Sequence, residues 1–172
     1  MFEEVEETIE VRDPINLDEL TFSLIVNYKE SIRELIKRSG NKIERSDIFC
    51  SMFKVPFGMM NKKTRVTLKI FHGLYHRDIL AAMEKEGYFG ANIFEATKFS
   101  MKYPHIQHQI PIFVPAERGC NYYDNDISSI YFSVDKYGEK IISRDVIYFN
   151  DRSKNVETIY LLGVKVEEIV EE

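Results

Sequence analysis

What this chain lacks narrows the field first. No apolar run approaches the roughly 20 residues a membrane-spanning helix needs. The opening residues, Met-Phe-Glu-Glu-Val-Glu-Glu, are acidic where a secretory leader is basic and then apolar, so the expected location is cytoplasmic, with no membrane partner. Only two cysteines occur, Cys50 and Cys120, far apart and in no ligand-like spacing; they suit a reducing compartment and read as small buried or half-buried residues. Long basic runs are absent and the formal net charge is −5, which leaves nucleic-acid binding without an electrostatic footprint. Repeats and low-complexity segments are missing too, and with 5 prolines and 8 scattered glycines no linker divides the chain. A Gly-x-Ser-x-Gly elbow, a phosphate loop and a dinucleotide-type glycine fingerprint are all absent, so the commonest hydrolase, kinase and dehydrogenase readings have no support.

What remains is the composition of a globular protein, 44% apolar and 30% charged over 172 residues, enough for one domain with a substantial core. The clearest local signal is residues 64–73. Val66, Leu68 and Ile70 alternate with Thr67, Lys69 and Phe71, the period of a strand with one buried face. This strand ends in His72-Gly73, and a helix is expected over residues 76–86.

Upstream, residues 3–11 carry many glutamates with Val5, Ile9 and Val11 between them, and read either as an edge strand or as a loose arm. Asn16 stands three residues before Glu19, a capping-box spacing. Leu20, Leu24, Tyr28, Ile32, Leu35 and Ile36 then recur at helical intervals, predicting one long helix that stops at Gly40. A shorter helix is expected from Ser46 or Asp47, limited by Pro56, so that residues 16–63 are mainly helical and 64–172 form a sheet-rich core. Downstream, Ile93-Phe94 reads as a short apolar step and residues 97–103 as a helical turn or two before Pro104. Strands are expected over 110–114, 127–134, 141–149 and 158–166, the last two as hairpin partners across the polar turn 150–155. The fold class is α+β, a helical N-terminal region packed on a mostly antiparallel sheet.

Metal chemistry has little to work with. His72 and His76 are four apart and His105 and His108 three apart, but neither pair has a companion cysteine or carboxylate cluster, and no metal is expected. More informative is an ordered set: His72-Gly73 at a strand end, Asn92-Ile93-Phe94-Glu95-Ala96-Thr97 with Ser100 and Tyr103 some twenty residues on, and Glu139 before the apolar Val146-Ile147-Tyr148-Phe149.

In that order the chain resembles the ADP-ribosyltransferase family, closest to single-domain relatives of the actin-modifying binary toxins. Residues 28–35, 66–73, 93–103, 112–119 and 139–149 follow the family's sequence of elements. The resemblance implies a split sheet and NAD as substrate. It implies that His72 binds the ribose hydroxyls and Gly73 the carboxamide, that Phe94, or else Tyr103, stacks on nicotinamide, and that Thr97 is what remains of a Ser-Thr-Ser motif. Glu139 is implied as the catalytic carboxylate, since cleavage of the nicotinamide–ribose bond develops an oxocarbenium-like charge that a carboxylate stabilises. The implied activity is transfer of ADP-ribose to a protein or other macromolecular acceptor. The sequence departs from the family where Glu95-Ala96-Thr97 replaces the triplet and where Tyr137 stands two residues before the glutamate. The alternative is therefore a catalytically inactive relative that binds a protein partner, with the charged face of residues 29–37 and the acidic stretch 167–172 as candidate surfaces. A weaker option is NAD-dependent removal of a 2′-phosphate from RNA.

Overall fold

The strand that organises the sequence also organises the structure. In the computed structural model, which describes residues 16–44, 58–115, 126–148 and 158–170, Lys63–Gly73 is one long strand. In chain order the elements are β1 (Thr21–Asn27), α1 (Ile32–Arg38), β2 (Lys42–Ile43), β3 (Lys63–Gly73), α2 (His76–Lys85), β4 (Phe89–Gly90), α3 (Ile93–Lys102), α4 (Pro104–Gln109), β5 (Ile112–Pro115), β6 (Asp126–Val134), β7 (Lys140–Tyr148) and β8 (Ile159–Val170). The described strands form one sheet in the order β1-β3-β8-β5-β6-β7-β2, with β4 pairing β8 beside this path. Pairing is antiparallel except for β2 with β7 and β5 with β8. The protein is thus α+β and sheet-dominated.

Helices pack on both faces of the sheet, on the second over part of it only. Val66, Leu68 and Ile70 of β3, with Leu162 and Val164 of β8 and Ile112, Phe132 and Ile142 further along, meet α1, α3 and α4 in the main core. Phe71 and Leu161 point the other way, onto Ile79 and Met83 of α2 and onto Tyr88. That second layer is why Ile70 and Phe71 are both buried, breaking the alternation that residues 64–70 obey. Gly163 of β8 lies under this layer: a Cβ there would stand 2.9 Å from the Phe71 ring, so only glycine fits.

Helix α3 is the centre of the main core. Asn92 caps it by accepting from the Glu95 amide (3.0 Å), while the Glu95 carboxylate accepts from the Asn92 amide (2.8 Å), a complete capping box. Apolar and small residues cover it except along Lys98, Met101 and Lys102, so the helix is enclosed on all but that side. It is bonded to strands from both ends of the sheet order. Lys102 Nζ donates to the Ser23 carbonyl of β1, and Asn41, beside β2, and Lys140, of β7, both donate to Ser100. The sheet therefore curves around α3.

Three expectations are corrected. The single helix over residues 16–40 is instead a strand followed by a two-turn helix, so this stretch is not mainly helical. Leu20, Leu24 and Tyr28 recur every four residues, close to one helical turn and equal to two strand periods. Phe22 and Val26, buried between them, decide for the strand. Asn16 caps no helix; its side chain accepts from the Asp18 amide in a local turn (3.3 Å). The last two strands are not hairpin partners either. β7 pairs with β6 across a turn where Gly138 takes φ +78°, and β8 runs through the middle of the sheet between β3 and β5. Finally, residues 97–103 do not form an isolated turn but the end of a helix that begins at Ile93, and Pro104 opens a further helix, α4. The expected elements over 3–11 and from Ser46, the turn 150–155, Cys50 and Cys120 lie outside the described residues.

Candidate functional site

The residues singled out by sequence occupy four separate environments. His72 sits at the exposed end of β3, where Nε2 lies 2.8 Å from Asp18 Oδ1 and the ring faces Tyr160 at 6.0 Å. Gly73 follows it, and its lack of a side chain serves packing: a Cβ would meet Ile79 Cγ1 at 3.1 Å. Phe94 is 3% exposed within the main core, its ring against Tyr28 at 5.4 Å, and offers no face to a ligand. Thr97 is fully buried and donates to the Ile93 carbonyl one turn back (2.6 Å). Tyr103, half-buried where α3 meets α4, packs on Phe22 and Phe99.

Glu139 belongs to the turn between β6 and β7. Its amide donates to Asp135 Oδ1 (3.0 Å) and its half-exposed carboxylate pairs with Lys42. His72 and Glu139 share one end of the sheet but lie between three and four strand spacings apart, on the order of 15–19 Å along it. The structure brings none of His72, Phe94 and Glu139 together. The ring expected to stack on nicotinamide is enclosed by core, and His72 and Glu139 pair with Asp18 and Lys42 respectively.

Several of the other buried polar groups are tied to one another. Ser100 donates to Gln107 Oε1 (2.5 Å), Gln107 Nε2 donates to Asn41 Oδ1 and to the Ser133 carbonyl (2.8 Å each), and Asn41 Nδ2 donates to Ser39 and Ser100 (2.8 Å each). Lys140 Nζ reaches the Ser100 carbonyl (3.2 Å), and burial lowers its pKa from the usual lysine range. Near Asn92, Tyr28 donates to Glu95 Oε1 (2.6 Å). These networks pin α3 and α4 to the sheet.

The histidines expected as pairs are also dispersed. His105 and His108 are exposed on α4, and His76 is buried at the first position of α2, where burial lowers its pKa. Among the described residues no group of three or more His, Cys, Asp or Glu is placed to hold a metal ion, and no helix is long and apolar enough to cross a membrane. The acidic stretch 167–172 is no free tail up to Val170: Glu167 and Glu168 are on β8, bonded to Thr67 and to Arg65 of β3.

Among the described residues, an open groove of about 630 Å³ lies between β1 and α3. Leu24 and Met101 line it together with Ile25, an exposed apolar residue on the outermost strand. Arg65 from β3 and Lys98 and Lys102 from α3 supply three cations. Arg65 pairs with Glu168 (3.0 Å) and Lys98 with Glu30 (3.2 Å). Sequence reasoning passed over these residues. Lys98 and Lys102 are one helical turn apart, and that spacing has meaning only once α3 is read as one helix running from Ile93. Compared with protein-family models, curated proteins and solved structures, the chain matches none.

Proposed function

We propose that this chain is a non-catalytic protein-interaction domain that receives its partner in the groove between β1 and α3. The observation that carries the reading is the gathering of Arg65, Lys98 and Lys102 around an apolar floor, on a chain whose net charge is −5. Such a surface favours a partner of opposite charge, in affinity and in encounter rate. NAD-dependent ADP-ribosyl transfer needs a carboxylate, a ribose-binding side chain and a nicotinamide platform around one pocket. The positions of Glu139, His72 and Phe94 lend that reading no support.

Binding to immobilised poly-glutamate and to poly-lysine tests the proposal, alongside calorimetry with NAD. The expected result is salt-sensitive retention on poly-glutamate alone, lost in the Arg65→Glu/Lys98→Glu/Lys102→Glu variant, and no heat with NAD at millimolar concentration. Nicotinamide release above buffer background, or undiminished retention of the charge-reversed variant, would overturn it.

A further inference from the structure

We propose that the groove receives an extended acidic segment of a partner protein, which joins the sheet as an additional strand beside β1; this rests on the interaction role proposed above and specifies its mode. The Ser23 carbonyl accepts from Lys102, a residue of α3, and so faces away from β3. In an antiparallel strand the N–H and C=O of one residue point to the same side, and successive residues alternate. Thr21, Ser23 and Ile25 therefore direct their backbone groups outward, and among the described residues β1 pairs with β3 alone. An edge of this kind is a template for strand addition, in which main-chain hydrogen bonds supply affinity and alternate side chains supply specificity.

The cations match such a ligand in spacing as well as in sign. Tyr28 contacts Glu95 at one end and Ser23 contacts Lys102 at the other, so α3 lies antiparallel alongside β1. Lys98 and Lys102 are separated by about 6 Å of helical rise. Two residues of an added strand advance about 6.8 Å, so carboxylates on alternate residues face successive lysines. The intervening side chains fall on the opposite face, beside Ile25 and its cross-strand neighbour Arg65, which suits small apolar residues. Present partners release the cations at little cost. The bond of Arg65 with Glu168 is a surface pair, the partly buried Glu30 keeps Arg38 as a partner when Lys98 turns away, and Lys102 guards the Ser23 carbonyl from an exposed position from which it can swing to a carboxylate.

The test uses the full chain and a fluorescent, end-blocked octapeptide of alternating glutamate and valine, read by anisotropy. Saturable binding is expected. It should weaken at least about tenfold in the Arg65→Glu/Lys98→Glu/Lys102→Glu variant and be absent for the corresponding lysine–valine peptide. The same acidic peptide N-methylated on every residue keeps its charge but cannot pair with a strand, and should lose binding at least about tenfold. Ser23→Pro removes an outward donor without touching the β1–β3 bonds, and should act likewise. Equal binding of the methylated peptide would overturn strand addition while leaving the interaction reading intact. No binding of the acidic peptide, or binding that survives charge reversal, would overturn both. A self-association abolished by Ser23→Pro, with no peptide bound, would assign the edge to a second copy and overturn the proposal.

Discussion

Gln107 is the residue whose removal most sharply tests how α3 is held in place. It is 1% exposed on α4 and bonds three groups: the Ser100 hydroxyl, Asn41 Oδ1 and the Ser133 carbonyl. Gln107→Leu keeps much of the volume, so little of its effect comes from a cavity. Two acceptors lose their donor inside the protein, at about 1–3 kcal/mol for each group left unsatisfied, while the Ser100 hydroxyl can turn elsewhere. The expected loss is about 2–6 kcal/mol, a large fraction of the roughly 5–15 kcal/mol by which a domain is stable. In urea, with a slope near 2 kcal/mol/M, the midpoint should fall by about 1–3 M with the slope unchanged. Adding Ser100→Ala should cost less than the sum of the single changes, because the Ser100–Gln107 bond is lost in each single variant but only once in the double. A loss under about 1 kcal/mol would refute the claim that this network fixes α3, and with it the placement of Lys98 and Lys102.

Other consequences are equally direct. Gly163→Ala forces a methyl into the Phe71 ring and near Met83, and should lower stability by about 1–3 kcal/mol in the same denaturation assay. For His76, burial puts the folded pKa below the ordinary value of 6.5, so between those two values the unfolded chain holds more protons. Its contribution to stability should be complete above about pH 6.5 and drain away as pH falls through the folded value; His76→Gln should flatten that part of the stability profile. Glu139→Gln removes only a half-exposed pair with Lys42, and should change stability by less than about 1 kcal/mol and leave acidic-peptide binding as it was.

Sequence was legible where one physical signal acted alone. Val66, Leu68 and Ile70 alternate and are flanked by polar residues, and β3 lies where that alternation predicts, as does α2 after it. It misled where two periods coincide, as at Leu20, Leu24 and Tyr28. The two capping-box spacings show the same ambiguity. Asn16 with Glu19 precedes a strand, whereas Asn92 with Glu95 opens α3, and the residues that follow make the difference: alternation in one, apolar and small residues on all but one side in the other. The site residues were beyond reach for a tertiary reason. Phe94 and Thr97 are typical of a binding loop only while α3 is read as a step and a turn; as parts of an enclosed helix they are core. Nothing local indicates that Arg65 and Lys102, 37 positions apart, border one groove, because the curvature of the sheet around α3 brings them there.

Amide hydrogen exchange along β1, followed residue by residue before and after addition of the glutamate–valine octapeptide, addresses the proposed binding surface most directly. The account predicts that Ser23 and Ile25 exchange quickly in the free protein and slow markedly in the complex, while Phe22, Leu24 and Val26, already bonded to β3, change little. Protection that appears elsewhere on the molecule, with Ser23 and Ile25 unchanged at saturating peptide, would contradict it.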